Sequence, residues 1–152
     1  MRVKDFDPNS ENQLFRIEQV SNFSLENSAV IINNLSGKAL DIPHSTWKHG
    51  ERLITWETNR RWNQRWHFHK HGKGILIKSA LTGQCVDIAG EKRDSGAKVV
   101  QWDQTGGSNQ QWHPEPCGNG LYKFRSCHES SLFLAIKKQD VNDGGQIEVC
   151  AE

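Results

Sequence analysis

The sequence has little of what marks several common functional classes. Its 19 basic and 18 acidic residues leave a net charge of +1, far below the excess that attracts nucleic acid or anionic membranes. No stretch approaches the roughly 18 apolar residues of a membrane span, and the amino terminus lacks the apolar run of a secretory signal. We therefore expect neither a nucleic-acid partner nor membrane insertion, and a location in the cytoplasm or export by a leaderless route.

Cysteine and catalytic motifs are also scarce. The four cysteines show no zinc-ligand spacing and are too few for a disulfide scaffold, so we expect reduced thiols; a bridge between Cys117 and Cys127 stays open. No Gly-x-Ser-x-Gly motif, phosphate loop or nucleophile–base pair is present, so we expect neither catalysis nor a cofactor. His67, His69 and His71 alternate and are able to chelate a metal, but a solvated strand face explains them without one.

What the sequence does contain is six tryptophans against one tyrosine, and a repeat that organises them. Segments 35–42, 50–56 and 63–67 align with segments 81–88, 96–102 and 109–113 at a constant offset of 46 residues. The aligned pairs include Gly50 with Gly96, Asp41 with Asp87, Trp56 with Trp102, and the Asn-Gln-x-Trp segments that begin at Asn63 and Asn109. Matches held in register over this length indicate a duplicated structural unit.

A third, degraded copy is present at an offset of 48 residues, over segments 131–136 and 144–150. Ala135 replaces the aspartate and Cys150 replaces the tryptophan. The missing Asn-Gln-x-aromatic segment is found at the other end of the chain, from Asn12 to Phe15. We therefore predict that the amino-terminal strand completes the third repeat and pairs beside the carboxyl-terminal strand.

Each unit consists of short apolar runs separated by Gly, Asn, Ser and Asp, which is typical of strands and turns. Four strands in each of three units predict an all-β fold of twelve strands, closed so that no sheet edge is left unpaired. After an amino-terminal extension over residues 1–10, a single domain covers residues 11–152. Repeat 1 spans about residues 29–68, repeat 2 about 75–114, and repeat 3 about 121–152 together with 11–17.

The two Gln-x-Trp segments, Gln64 to Trp66 and Gln110 to Trp112, resemble those of the ricin B-type β-trefoil lectins. The resemblance covers nearly the whole chain from residue 11. It implies a β-trefoil in which Trp66, Trp112 and Phe15 pack in the core. It also implies a carbohydrate-binding lectin whose partners are glycans containing galactose or N-acetylgalactosamine.

Carried over position by position, the resemblance predicts two sugar sites and an inactive third. An aspartate accepts hydrogen bonds from sugar hydroxyls, an asparagine donates and accepts them, and an indole covers an apolar sugar face. Gln64 and Gln110 either buttress each site or touch the ligand, and His44 and Trp47 offer extra contacts at the first. The predicted sites are Asp41, Trp56, Asn63 and Gln64 in the first repeat, and Asp87, Trp102, Asn109 and Gln110 in the second.

Other interpretations stay open at this point. Asp41 and Asp87 are also suited to capping turns, and Trp56 and Trp102 to an ordinary core. The loops 43–49 and 89–95 are predicted to form one wall of their own repeat's pocket and to make the sites differ. Two sites allow crosslinking of glycans, and the strand closure permits a homodimer. The main alternative function is a β-trefoil that binds protein, as a cytoskeletal bundler or protease inhibitor does.

Overall fold

The computed structural model describes residues 8–20 and 28–152 of the chain. Residues 1–7 of the predicted amino-terminal extension lie outside this range, whereas residues 8–10 belong to a short 3-10 helix, Pro8–Gln13. Within the described ranges the chain forms strands, turns and 3-10 helices, and no α-helix. No helix in these ranges has the length and apolarity needed to cross a membrane.

The described residues form twelve strands in one sheet. In chain order they are β1 Phe15–Val20, β2 Ser28–Asn33, β3 Ala39–Asp41, β4 Ile54–Trp56, β5 Trp66–His71, β6 Gly74–Ser79, β7 Cys85–Ile88, β8 Val99–Trp102, β9 Trp112–Pro116, β10 Leu121–Ser126, β11 Leu132–Ile136 and β12 Gly145–Ala151. Further 3-10 helices cover Pro43–Ser45, Trp62–Gln64, Ala89–Glu91, Ser108–Gln110 and Lys137–Gln139.

The strand pairing has a threefold pattern. Strand β5 pairs with β2 and β6, and β9 pairs with β6 and β10. Strand β1 occupies the corresponding place between β10 and β2. The prediction that β1 pairs beside the carboxyl-terminal strand is therefore wrong, because β12 pairs with β11 and β4. The link to the carboxyl terminus is a side chain instead: Gln13 Nε2 donates to the Ala151 carbonyl at 3.0 Å.

The core is built around the aromatic residues of the repeated segments. Phe15, Trp66 and Trp112 are fully buried, which confirms the predicted core role of all three. Trp66 Nε1 donates to the Leu40 carbonyl and Trp112 Nε1 to the Val86 carbonyl, both at 3.1 Å. Each indole thus has its polar atom satisfied while its apolar surface leaves water, a burial that contributes roughly 4–6 kcal/mol per ring.

Three aligned glycines, Gly50, Gly96 and Gly144, connect each unit to the next. Their φ angles are +82°, +93° and +90° respectively, in the left-handed region that favours glycine. Each donates its backbone N–H to a strand of the following unit: Gly50 to the Gln101 carbonyl at 2.8 Å, Gly96 to Val149 at 2.7 Å and Gly144 to Thr55 at 2.8 Å. The loop between the second and third strands of one unit therefore lies against the third strand of another unit.

All four cysteines are free. Cys117 is exposed and Cys127 is partly buried, and the bridge between them that the sequence left open does not form. Cys85 lies in the core, where burial raises the pKa of its thiol to about 11. The strands are thus held together by packing and backbone hydrogen bonds.

Candidate functional site

Two surface pockets occupy equivalent places in the first and second units. We call them the Asp41 pocket and the Asp87 pocket. Each is formed by the end of the second strand of its unit (β3 or β7), the end of the third strand (β4 or β8) and the 3-10 helix before the fourth strand (β5 or β9). The Asp41 pocket is lined by Asp41, Pro43, His44, Ile54, Trp56, Asn59 and Asn63. The Asp87 pocket is lined by Asp87, Ala89, Gly90, Val100, Trp102, Thr105 and Asn109, and additionally by Gly50 and Glu91.

The aspartates of both pockets are buried and held by a glutamine. Gln64 Nε2 donates to Asp41 Oδ2 at 2.9 Å, and Gln110 Nε2 donates to Asp87 Oδ2 at 2.8 Å. Among the described residues, nothing donates a hydrogen bond to Oδ1 of either aspartate. One carboxylate oxygen is therefore fixed by the fold, and the other is left to accept a hydrogen bond from a ligand in the pocket.

Burial perturbs both carboxylates strongly. Loss of solvation raises the pKa of Asp41 from its ordinary 3.8 to about 6, although hydrogen bonds from Gln64 and Asn63 and the nearby His44 act in the opposite direction. Loss of solvation likewise raises the pKa of Asp87 to about 6; hydrogen bonds from Gln110 and Asn109 act in the opposite direction, and the neighbouring Glu91 acts in the same direction. Such shifts in surface pockets are typical of functional groups, because the fold accepts an energetic cost to keep the carboxylate there.

Gln64 and Gln110 buttress the pockets and do not line them. Both are fully buried. Gln64 Oε1 accepts from the Asn59 backbone N–H at 2.8 Å, and Gln110 Oε1 accepts from that of Thr105 at 2.9 Å. Each glutamine therefore ties the turn after the third strand to the pocket aspartate, and its burial favours the buttressing alternative over a direct ligand contact.

The pocket tryptophans lie at the surface. Trp56 and Trp102 are each 43% exposed, so the alternative that they belong to the core is wrong. They end the third strands, where each pairs across the sheet with a residue of the second strand, Ala39 and Cys85 respectively. An exposed indole beside an acceptor carboxylate provides a flat apolar platform and a polar anchor in one pocket.

The asparagines complete the pockets through the same contact in both units. Asn63 Nδ2 donates to the Ile42 carbonyl at 3.2 Å, and also to Asp41 Oδ2 at 3.1 Å. Asn109 Nδ2 donates to the Ile88 carbonyl at 3.1 Å. The amide nitrogen of each asparagine is thus used to anchor the side chain, and its oxygen remains an acceptor at the pocket.

The loop between β3 and β4 contributes Pro43 and His44 to the wall of the Asp41 pocket, in agreement with the prediction, and its end also reaches the Asp87 pocket through Gly50. His44 lines the Asp41 pocket, as expected for an extra contact. Trp47 is absent from the described lining, and its carbonyl accepts instead from Gln84 Nε2 of the second unit at 2.9 Å. His49 packs on Trp102 with ring centroids 5.6 Å apart. Because the Gly50 N–H donates to the Gln101 carbonyl of the second unit, the end of this loop lies beside the Asp87 pocket.

The third unit lacks the polar and stacking groups at the equivalent place. Ala135 pairs with Glu148 in the register in which Asp41 pairs with Ile54. Asn12 is retained, and its Nδ2 donates to the Ile136 carbonyl at 2.9 Å as in the other units. A concavity of about 620 Å³ is present, but its lining over residues 137–146 contains no aromatic side chain.

Sequence reasoning missed several pocket residues. Ile54 and Val100 form apolar floor, and Asn59 and Thr105 line the turn after the third strand. The members of each pair are 46 residues apart, and this alignment in the repeat could have identified them as equivalent pocket positions. Glu91 gave no such signal, since its aligned residue does not line the first pocket.

The fold is similar to that of several solved structures. ThreeFoil, a designed threefold-symmetric protein, is 24% identical with a TM-score of 0.77, over 92% of this chain and 90% of its own. An exo-β-1,3-galactanase from Clostridium thermocellum is also 24% identical with a TM-score of 0.77, over 97% of this chain but only 28% of the enzyme. The Macrolepiota procera ricin B-like lectin, solved in complex with lactose, is 18% identical with a TM-score of 0.66, over 94% of this chain and 88% of the lectin.

These identities are low enough that the likeness shows the fold alone. No curated protein matches the sequence. The family model described as ricin-type beta-trefoil lectin domain-like matches residues 62–149, which is more than half of the chain. The chain therefore belongs to the ricin-type beta-trefoil lectin domain-like family.

Proposed function

We propose that this protein is a carbohydrate-binding lectin that holds galactose or N-acetylgalactosamine in the Asp41 pocket and in the Asp87 pocket. The observation that carries the proposal is the arrangement found twice: an aspartate with one oxygen unpartnered among the described residues, beside an exposed indole. The third unit has neither group and is inactive in this proposal. Its fourth strand is β1, at the other end of the chain.

The chemistry of each pocket fits a sugar ring. The free Oδ1 of the aspartate accepts a charge-assisted hydrogen bond from a ring hydroxyl, and the asparagine oxygen accepts from a neighbouring one. The indole of Trp56 or Trp102 covers the apolar C–H face of the ring. Galactose and N-acetylgalactosamine suit this arrangement because their axial 4-hydroxyl leaves one ring face largely apolar.

The pockets are shallow, so each holds its ligand weakly. A dissociation constant of roughly 0.1–1 mM, or about −4 to −5.5 kcal/mol, is expected for a monosaccharide. Two pockets in one domain permit crosslinking of multivalent glycans, with avidity well above that of either site. The lactose complex of the structurally similar Macrolepiota procera lectin supports a galactoside as ligand.

The test replaces both aspartates by asparagine. Asparagine keeps an oxygen for the buried glutamine, whereas alanine would leave Gln64 and Gln110 without that acceptor. We expect wild-type protein to bind galactosides on a glycan array and the Asp41→Asn, Asp87→Asn protein not to bind. The matched control is Asp140→Asn in the third unit, which should retain binding. Equal binding by the double variant would overturn the proposed sites.

A second candidate, a protein-binding module, is favoured by the two remaining exposed tryptophans. Trp47 is 62% exposed and Trp62 is 48% exposed, and neither is found in the described lining of the two pockets. A glycan array without any bound sugar, together with loss of a protein partner on Trp47→Ala substitution, would support this function over the lectin.

A further inference from the structure

We infer that the two pockets take ligands of different size: the Asp41 pocket takes one sugar ring, and the Asp87 pocket takes a disaccharide. This inference rests on the proposed function. The Asp87 pocket has a volume of about 450 Å³, about twice the 220 Å³ of the Asp41 pocket. The two share seven aligned lining positions, four of which hold different residues, and the Asp87 pocket is additionally lined by Gly50 and Glu91.

The first such position is His44, which aligns with Gly90. Both residues adopt a left-handed backbone conformation, with φ of 56° and 66° respectively, inside equivalent 3-10 turns. The backbone therefore follows the same path, and the side chain alone differs. An imidazole stands in the wall of the Asp41 pocket, whereas the Asp87 pocket has no side chain at this place. Removal of an imidazole from the wall opens room beside the first ring.

The opened space in the Asp87 pocket also offers new polar contacts. Glu91 lines this pocket, and its carboxylate extends toward Gly107: a Cβ at Gly107 would lie 3.9 Å from Glu91 Oε1 and 2.9 Å from Asn109 Oδ1. Glu91 and Asn109 both line the pocket, and their side-chain oxygens both lie close to Gly107. A second sugar ring next to the first would find hydroxyl acceptors there, whereas the Asp41 pocket presents His44.

A hydrogen-bonded bridge fixes this wider wall. His128 Nε2 donates to the Glu91 carbonyl at 2.7 Å, and His128 Nδ1 is hydrogen-bonded to Ser108 Oγ at 2.7 Å. The bridge connects the Glu91 loop to the 3-10 helix that carries Asn109. In the first unit a tryptophan, Trp62, stands where Ser108 does, and it has no hydroxyl for such a bridge. The His128 bridge, which the described residues of the first unit lack, therefore holds the wall of the Asp87 pocket in place.

The experiment measures galactose and lactose affinity by isothermal titration calorimetry in two single-site proteins. Asp41→Asn leaves only the Asp87 pocket, and Asp87→Asn leaves only the Asp41 pocket. We expect the ratio of lactose to galactose affinity to be about tenfold higher at the Asp87 pocket, as one added hydrogen bond to a charged carboxylate implies. Gly90→His in the first protein should lower the ratio, and His44→Gly in the second should raise it.

The Gly90→His exchange has room but places a side chain at a φ of +66°, which strains the backbone, although the aligned His44 occupies the same left-handed region. A Cβ at Gly90 would meet only Lys92 side-chain atoms, none closer than 3.9 Å, and His44 already has the required backbone angles. Galactose binding with equal ratios in the two single-site proteins, or ratios unmoved by both exchanges, would overturn the size inference alone. Failure of the unmodified protein to bind either sugar would overturn the proposed function and the inference with it.

Discussion

Replacing both pocket aspartates by asparagine separates what the carboxylates cost the fold from what they contribute to binding. Oδ2 of each aspartate accepts from a buried glutamine, Gln64 or Gln110, and an asparagine oxygen can take that bond. At the other atom the change places an amide donor where a carboxylate offered an acceptor. We therefore expect the double variant to fold, to be more stable than wild type at neutral pH, and to lose sugar binding.

The size of the stability gain follows from the pKa of the two groups, which is raised to about 6 from 3.8. Because the folded pKa lies above the unfolded value, the native state binds more protons between about pH 4 and pH 6, and stability falls as the pH rises through that window. Two pKa units correspond to about 3 kcal/mol at most per carboxylate, which water in the open pocket reduces to about 1–2 kcal/mol. Asparagine does not titrate, so the free energy of unfolding of the variant does not fall in this way as the pH rises.

Urea denaturation followed by far-ultraviolet circular dichroism measures this difference at several pH values. Subtraction of wild type from variant cancels the contribution of the histidines that lie away from the two aspartates, which excludes His44 beside Asp41. The difference should grow from about pH 4 to pH 7 and then level off, while wild-type galactose affinity should fall about tenfold per pH unit below pH 6. A stability difference that is constant with pH, or wild-type binding unchanged at pH 5, would refute the reasoning.

Three further predictions concern the exposed indole of Trp102, the buried amide of Gln110 and the cysteine thiols. Trp102→Ala should weaken galactose binding at its pocket at least about tenfold, by calorimetry, yet lower the unfolding free energy by clearly less than the roughly 4–6 kcal/mol of a fully buried indole, because Trp102 is 43% exposed. Gln110→Leu should cost about 2–4 kcal/mol in chemical denaturation, because Asp87 and the turn at Thr105 lose a buried partner. Cys117 should react with a thiol reagent in the native protein, and Cys85 only after unfolding, as followed by mass spectrometry.

Much of the site was predictable from the repeat. The positions of Asp41, Trp56 and Asn63 follow from their alignment with the second unit, because equivalent residues of a duplicated unit take equivalent places. The core role of Trp66 was likewise predictable from the Gln-x-Trp segment. The same comparison marked Ala135 and Cys150 as the residues that leave the third unit without a pocket of this kind.

Other properties depend on contacts between units, which no local pattern encodes. The sequence left open whether Gln64 supports the site or touches the ligand. Only the folded chain shows that Gln64 is fully buried and that its Nε2 donates to Asp41 Oδ2. His49 belongs to the first repeat but packs on Trp102 of the second, because the Gly50 N–H bonds across to the Gln101 carbonyl. The pairing partners of β1 were mispredicted for the same reason.

By itself, the sequence determined an all-β chain of repeated units with two sets of aspartate, tryptophan and asparagine, because repeat offsets and strand periodicity are local properties that the residue order contains. Only the tertiary structure decided which oxygen of each aspartate is free, which loop borders which pocket, and that the Asp87 pocket has about 450 Å³ against 220 Å³. Those properties arise where residues distant in sequence meet, since exposure, pKa and cavity size are set by the neighbours that folding brings together.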